Sequence, residues 1–266
     1  MPSSTPDLRK VTILIKTFLR DAHLADALSG IWASMPEVHV LVIDDGEHTP
    51  AKESLYQRAI GTGHTVVQMP FDSGFGAKSN EAIKHIFRPY LLIGSDDFNF
   101  RPLEVRHGIE KLVAVLDGDP HLAIASGRVN GNPYEGWLHD YGDRVVEEWL
   151  SLDNPKKSNG VVYYHCDLTV NYSLIRAEIL GRNKICWYDD VKIGGGEHGA
   201  FFVAVKRAGY KVAYVPGVNI SEQQGKPTDL RYSSFRGRAS RPEREAFKHM
   251  GIREYVCFGG SVEIVP

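Results

Sequence analysis

Apolar residues along this chain follow two rhythms, short β-branched runs and longer stretches in which they return at helical spacing. Val11-Thr-Ile-Leu-Ile15 reads as a first strand, followed by a loop over Lys16–Arg20 with Asp21 as a helix N-cap. Leu24, Leu28, Ile31 and Trp32 then mark one helix face, ending at Met35-Pro36. Val38–Ile43 reads as a second strand, Ala51–Ile60 as a short helix and Thr65–Met69 as a third strand. A loop from Pro70 enters a helix through Ala77, Ile83 and Ile86 that ends at Arg88-Pro89, and Tyr90-Leu-Leu-Ile93 begins a fourth strand. Strand–helix alternation of this kind predicts a parallel sheet with right-handed crossovers.

The polar positions at the strand ends carry the chemistry. The second strand runs into Asp44-Asp45-Gly46, and the fourth into Gly94-Ser-Asp-Asp-Phe98. Open α/β sheets bind ligands at the carboxyl ends of their strands. Asp96 and Asp97 repel one another unless a cation lies between them, and hard divalent cations favour oxygen ligands. A metal joining this pair to a diphosphate is one reading; an Asp-rich turn with Asp97 capping a helix is the other. The loop Gly74-Phe-Gly-Ala-Lys-Ser-Asn80 could bring backbone amides to a phosphate at a helix start, or be only a turn.

Beyond Phe100 the pattern predicts a helix over 103–116 and a strand over 122–126. Residues 127–159 are less regular and rich in aromatics (Tyr134, Trp137, Tyr141, Trp149), an insertion that either shapes an acceptor pocket or simply packs. Strands over 161–165 and 168–170 and a short helix over 174–180 follow. Gly194–Gly196 then lead to Glu197 and His198 at the start of a helix reaching Arg207. A carboxylate is favoured there by the helix dipole, and both residues are general-base candidates. Val212–Val215 is the last clear strand. Lys226, Arg231, Arg236, Arg238, Arg241 and Arg244 make the tail basic, either a solvated run or a flap over an anionic ligand. Tyr255–Phe258 is an apolar anchor returning the tail to the body.

With 266 residues, 42% of them hydrophobic, the chain can build one large α/β domain. We divide it into a catalytic domain over 1–222 and a basic C-terminal flap or tail over 223–266. A net charge of -2 gives no global field for nucleic acid. Three widely spaced cysteines and no apolar stretch of spanning or signal length lead us to expect a cytoplasmic protein.

In order, Lys16–Arg20, Val42–Gly46, Gly74–Asn80, Leu92–Phe98, Gly195–His198 with Phe201-Phe202, and Ala208–Pro216 resemble the motifs of a GT-A glycosyltransferase. The set is similar to the β-1,4-N-acetylgalactosaminyltransferase branch of the family-2-like group and spans residues 11 to about 222. The resemblance implies a GT-A, Rossmann-like, mostly parallel sheet flanked by helices. It also implies inverting sugar transfer from a nucleotide-diphosphate donor, usually a UDP-sugar. Thr17, Arg20 and Asp45 would line the nucleoside pocket, with Lys78 and Asn80 near the diphosphate or ribose and Asp96 on the ribose or sugar. Asp97 would bind a divalent metal, Mn2+ or Mg2+. The chain departs from the pattern at Ser95, at Glu197-His-Gly-Ala200, and at Ser221-Glu222, where Glu222 replaces the usual histidine as a possible metal ligand. Glu197 is the preferred base and His198 the second. The acceptor is open: a glycan, a protein, a small molecule or a modified nucleic acid. The alternative is a non-catalytic GT-A-like module that binds a nucleotide sugar or glycan. A nucleotidyltransferase ranks last, because no glycine-rich basic signature follows the first strand.

Overall fold

A computed structural model describes residues 6–190, 192, 196–226, 228–237 and 245–264. The first half follows the expected alternation: β1 (Val11–Thr17), α1 (Asp21–Ser34), β2 (His39–Asp44), α2 (Pro50–Gly61), β3 (Thr65–Gln68), α3 (Phe75–Ile83), β4 (Tyr90–Ser95), α4 (Leu103–Gly118) and β5 (Leu122–Val129). Then come β6 (Gly136–Asp140), β7 (Arg144–Trp149), β8 (Lys156–Ser158), β9 (Val161–Cys166), β10 (Ser173–Arg176), α5 (Glu197–Arg207), β11 (Lys211–Ile220), α6 (Tyr232–Arg236), α7 (Glu245–His249), β12 (Glu254–Val256) and β13 (Val262–Ile264).

Among the described residues, nine strands form the main sheet in the order β3-β2-β1-β4-β10-β5-β11-β9-β8. The β3-β2-β1-β4 half is parallel, and β10 is inserted antiparallel to both β4 and β5. Side-chain alternation along β1 divides the core. Val11, Ile13 and Ile15 face α1 and α4, whereas Leu14 joins the layer holding Ala82 of α3 and Phe201 of α5. Chain order reverses between β1 and β4, so the loops after β1, β2 and β4 open into one crevice, the switch point where such sheets take ligands.

Several expectations are corrected. Lys16 and Thr17 belong to β1 rather than to a loop, and both are buried. Asp21 is the first residue of α1, not its cap; its carboxylate accepts from Thr49 Oγ1 at 2.9 Å. Helix α3 stops at Ile83. The run expected to be a helix over 174–180 is β10 followed by a 3-10 turn, because backbone pairing to strands on both sides outweighs a weak helical period. Residues 168–170 form no strand; Leu168 makes only an isolated bridge to Gly136. The irregular insertion is ordered by long-range pairing: β6 and β7 form a hairpin, and β12 runs parallel to β7 in a second sheet, β13-β12-β7-β6. Buried Tyr255 seals that sheet by donating its hydroxyl to Glu147 at 2.6 Å. Among the described residues no helix is long and apolar enough to cross a membrane.

Candidate active site

A cavity of about 280 Å³ opens at the switch point. It brings together seven of the residues singled out from the sequence: Thr17, Arg20, Asp45, Lys78, Asp96, Asp97 and Glu222. Asn80, Glu197 and His198 do not line it.

The cation between the two adjacent aspartates is Arg20. Its Nη1 donates to Asp97 Oδ2 at 2.6 Å, its Nε to Asp96 Oδ2 at 3.2 Å, and its Nη2 makes a further short contact with Asp96 Oδ1. Leu19, in the left-handed region (φ 55°), supplies the turn before it. Burial works against the Arg20 charge, but the two carboxylates outweigh it and hold the guanidinium above its ordinary range. Asp96 is fully buried, and burial pushes its carboxyl up to about 6 despite the guanidinium beside it. Ser95 Oγ donates to the other Asp97 oxygen. Arg20 thus lines the cavity and is there the counter-ion to both aspartates.

Two further elements fix this loop, and neither was visible in the sequence. Gln223 donates its backbone N–H to the Asp97 carbonyl at 2.6 Å, and its Nε2 reaches the carbonyls of His23, Asp96 and Phe98, each at 3.1 Å. Tyr232 of α6 lays its ring over the Arg20 guanidinium at 4.9 Å. Phe235 of the same helix packs edge-on against Phe18 at 5.2 Å, at the cavity wall. Of the basic tail, Arg236 lines the cavity, whereas Arg231 pairs with Glu47 and Lys226 with Asp26 on the surface. Arg238, Arg241 and Arg244 lie outside the described residues, as do Gly194 and Gly195.

On the other side, Lys78 Nζ donates to Asp45 Oδ1 at 2.6 Å and to the Thr17 carbonyl at 3.1 Å, tying the ends of β1 and β2 to α3. The glycine loop is explained by packing. A Cβ on Gly76 would lie 1.9 Å from the Tyr188 carbonyl, and one on Gly74 (φ 102°) 2.7 Å from that of Lys192. Its first amides are also taken: Gly74 donates to Asp45 and Phe75 to Lys192. Asn80 binds Trp187 through both ends of its amide, with Nδ2 also on Asp189, so it staples α3 to the 187–189 loop rather than facing the donor side.

Glu197 and His198 begin α5, beyond the cavity wall. His198 Nε2 donates to the Thr169 carbonyl at 2.8 Å, and burial pushes the imidazole down to about 4. That leaves it neutral and a poor proton acceptor near pH 7.

Glu222 lies at the far rim, its Oε2 accepting from Asn130 at 2.8 Å. Among the described residues no three His, Cys, Asp or Glu side chains converge as a ready-made metal cage. Asp97 and Glu222 nonetheless line one cavity. One or two carboxylates suffice for a cation that also binds substrate phosphates.

Comparison with known proteins bears on this site. The chain is 31% identical over 225 residues to mouse β-1,4 N-acetylgalactosaminyltransferase 2, a match covering 82% of this chain and 40% of that protein. It is 34% identical over 119 residues to human β-1,4 N-acetylgalactosaminyltransferase 1, covering 45% and 20%. The chain is a homologue of the β-1,4-N-acetylgalactosaminyltransferases. Its matches span well under half the length of these relatives. No family model matches it. Among solved structures, the mannosyltransferase PcManGT of Pyrobaculum calidifontis, in complex with GDP-Man and Mn2+, has a TM-score of 0.55 at 16% identity, covering 85% of this chain and 59% of that one. S. aureus TarS (1-349) gives 0.52 at 14%, covering 80% and 60%. The fold of this homologue is therefore that of the GT-A glycosyltransferases.

Proposed function

We propose that the chain is an inverting glycosyltransferase that moves a sugar from a nucleotide-diphosphate donor, a UDP-sugar, to an acceptor hydroxyl. The observation that carries this reading is the convergence of Thr17, Asp45, Lys78, Asp96, Asp97 and Glu222 on one switch-point cavity in a homologue of sugar transferases. Thr17, Asp45 and Lys78 would hold the nucleoside diphosphate, and Asp96 would accept a hydrogen bond from a ribose or sugar hydroxyl. Asp97 and Glu222 would hold a divalent cation, Mn2+ or Mg2+, whose charge offsets that of the departing diphosphate. For this, Arg20 has to release Asp97 Oδ2. Glu197 would take the acceptor hydroxyl proton as that oxygen attacks the anomeric carbon. The bond from that carbon to the diphosphate breaks, and configuration inverts. The depressed basicity of His198 favours Glu197 in this role.

The relatives' names make UDP-N-acetylgalactosamine the first donor to test. UDP release that depends on an added acceptor, and that is lost in Asp97→Ala and Glu197→Gln, is the expected result. Nucleotide sugars that bind and are never turned over would favour the non-catalytic binding module instead. The position of Glu197 outside the cavity wall is the observation on that side.

A further inference from the structure

Three lysines are buried in the first half of the chain, Lys16, Lys52 and Lys78, and two of them have their charge balanced by a carboxylate. Lys52, 1% exposed, donates to Asp44 at 2.9 Å and lies 3.3 Å from Asp21. Lys16, 7% exposed, is the penultimate residue of β1, on the sheet face that packs α3. Its Nζ donates to Ser79 Oγ at 3.0 Å and sits 3.3 Å from the Phe75 ring centroid. Among the described residues it forms no ion pair, whereas the nearby Lys78 is matched by Asp45. Burial and the Lys78 ammonium push the Lys16 amine well below the ordinary lysine range, against the pull of Glu197.

A lone ammonium held out of water costs several kcal/mol. Packing does not require it, since a methionine of similar length would fill the same space. Lys16 lines the cavity beside Thr17 and Lys78, so an anion entering there meets it directly. The amides of Gly74 and Phe75 are already engaged, which leaves side-chain cations to receive that anion.

We propose that Lys16 is a phosphate-binding residue of the donor site, forming with Lys78 a two-lysine seat for a phosphate group of the donor diphosphate. The seat rests on the nucleotide-donor reading above and adds a residue to it. It also gives the buried amine a counter-ion when the diphosphate arrives.

The test is calorimetric titration of wild type, Lys16→Met and Lys16→Gln with uridine diphosphate and with uridine, alongside thermal melting. Replacing a buried unpaired charge by an apolar side chain of similar size is neutral or stabilising, so Lys16→Met is expected to melt no lower than wild type. Loss of a hydrogen bond to a charged group predicts a fall of about ten- to a hundredfold in uridine diphosphate affinity, with uridine affinity unchanged. Folded variants that bind uridine diphosphate like wild type overturn the proposal. So does an equal fall for both probes, which would make Lys16 a structural residue. Wild type that binds neither probe overturns the donor reading itself.

Discussion

The chain has two adjacent aspartate pairs at strand ends, and they are alike in sequence and unlike in structure. Asp44 and Asp45, after β2, have separate partners. Asp44 accepts from Lys52 at 2.9 Å, Tyr56 at 2.7 Å and the Gly46 amide at 2.8 Å, and Asp45 from Lys78 and Gly74. Asp96 and Asp97, after β4, share one guanidinium from a loop residue. The first pair is compensated carboxylate by carboxylate and acts as a staple between elements. The second shares a single guanidinium, which the proposed function has a metal-bound donor displace from Asp97. A strand ending in two carboxylates therefore does not define a metal site; the number and origin of the partnering cations separate structural from exchangeable pairs.

The largest effect that would sharpen this contrast is on turnover. Asp97→Ala should lower kcat/KM by about a thousandfold, as expected when a charge-stabilising group at the leaving diphosphate is lost, with little change in melting temperature. Asp44→Ala should do the reverse. It leaves the buried Lys52 ammonium with only the half-exposed Asp21 at 3.3 Å and should cost about 3 kcal/mol in denaturant unfolding while donor affinity per folded molecule persists. Equal stability losses in the two variants would break the comparison.

Arg20→Ala is the next test. Without the guanidinium, two carboxylates face each other unrelieved, so the free protein should lose about 2 kcal/mol. Manganese should then raise its melting temperature more than it raises that of wild type, because the cation position has been vacated. An identical manganese response in both proteins would show that Arg20 does not compete for the site.

The smallest effect concerns His198. Its imidazole is held near 4 in the fold, below its ordinary value of 6.5, mainly by burial. The unfolded chain therefore binds this proton more readily between pH 4 and 6.5. The residue's contribution to stability is full above about pH 6.5 and is lost as pH falls towards 4. His198→Phe should flatten that slope by about 3 kcal/mol and leave the pH profile of kcat/KM unchanged. A limb near pH 6.5 that disappears in the variant would restore His198 as the base.

The parallel half of the fold was legible because β1, β2 and β4 are continuous buried runs, each stopped by polar residues. Strand β10 was not, because residues 172–180 have no clean period and the backbone partners on β4 and β5 decide their form. The second sheet was hidden for a similar reason: β7 pairs with β12, as Arg144 with Glu254, across more than a hundred residues. In the site, strand-end carboxylates stand out locally, so Asp45, Asp96 and Asp97 could be read. Their pairing cations could not, since Arg20 and Lys78 were named only through the resemblance and for other roles. Arg20 meets Asp96 from 76 positions away, and Lys16 looked like a loop residue until the register of β1 buried it. The contacts of Asn80 could not be read, because its partners, Trp187 and Asp189, lie on a distant loop. Gln223 and Tyr232 gave no signal, since each acts through a contact that only the folded chain creates.

The central claim is that the Asp96–Asp97 loop is a donor site with an exchangeable cation. Calorimetric titration of uridine diphosphate with and without manganese, on wild type and Asp97→Ala, tests it most directly. The account predicts that manganese tightens binding to wild type and that Asp97→Ala abolishes this enhancement. Binding that is indifferent to both manganese and the substitution would contradict it and assign the diphosphate's countercharge to the protein's own cations.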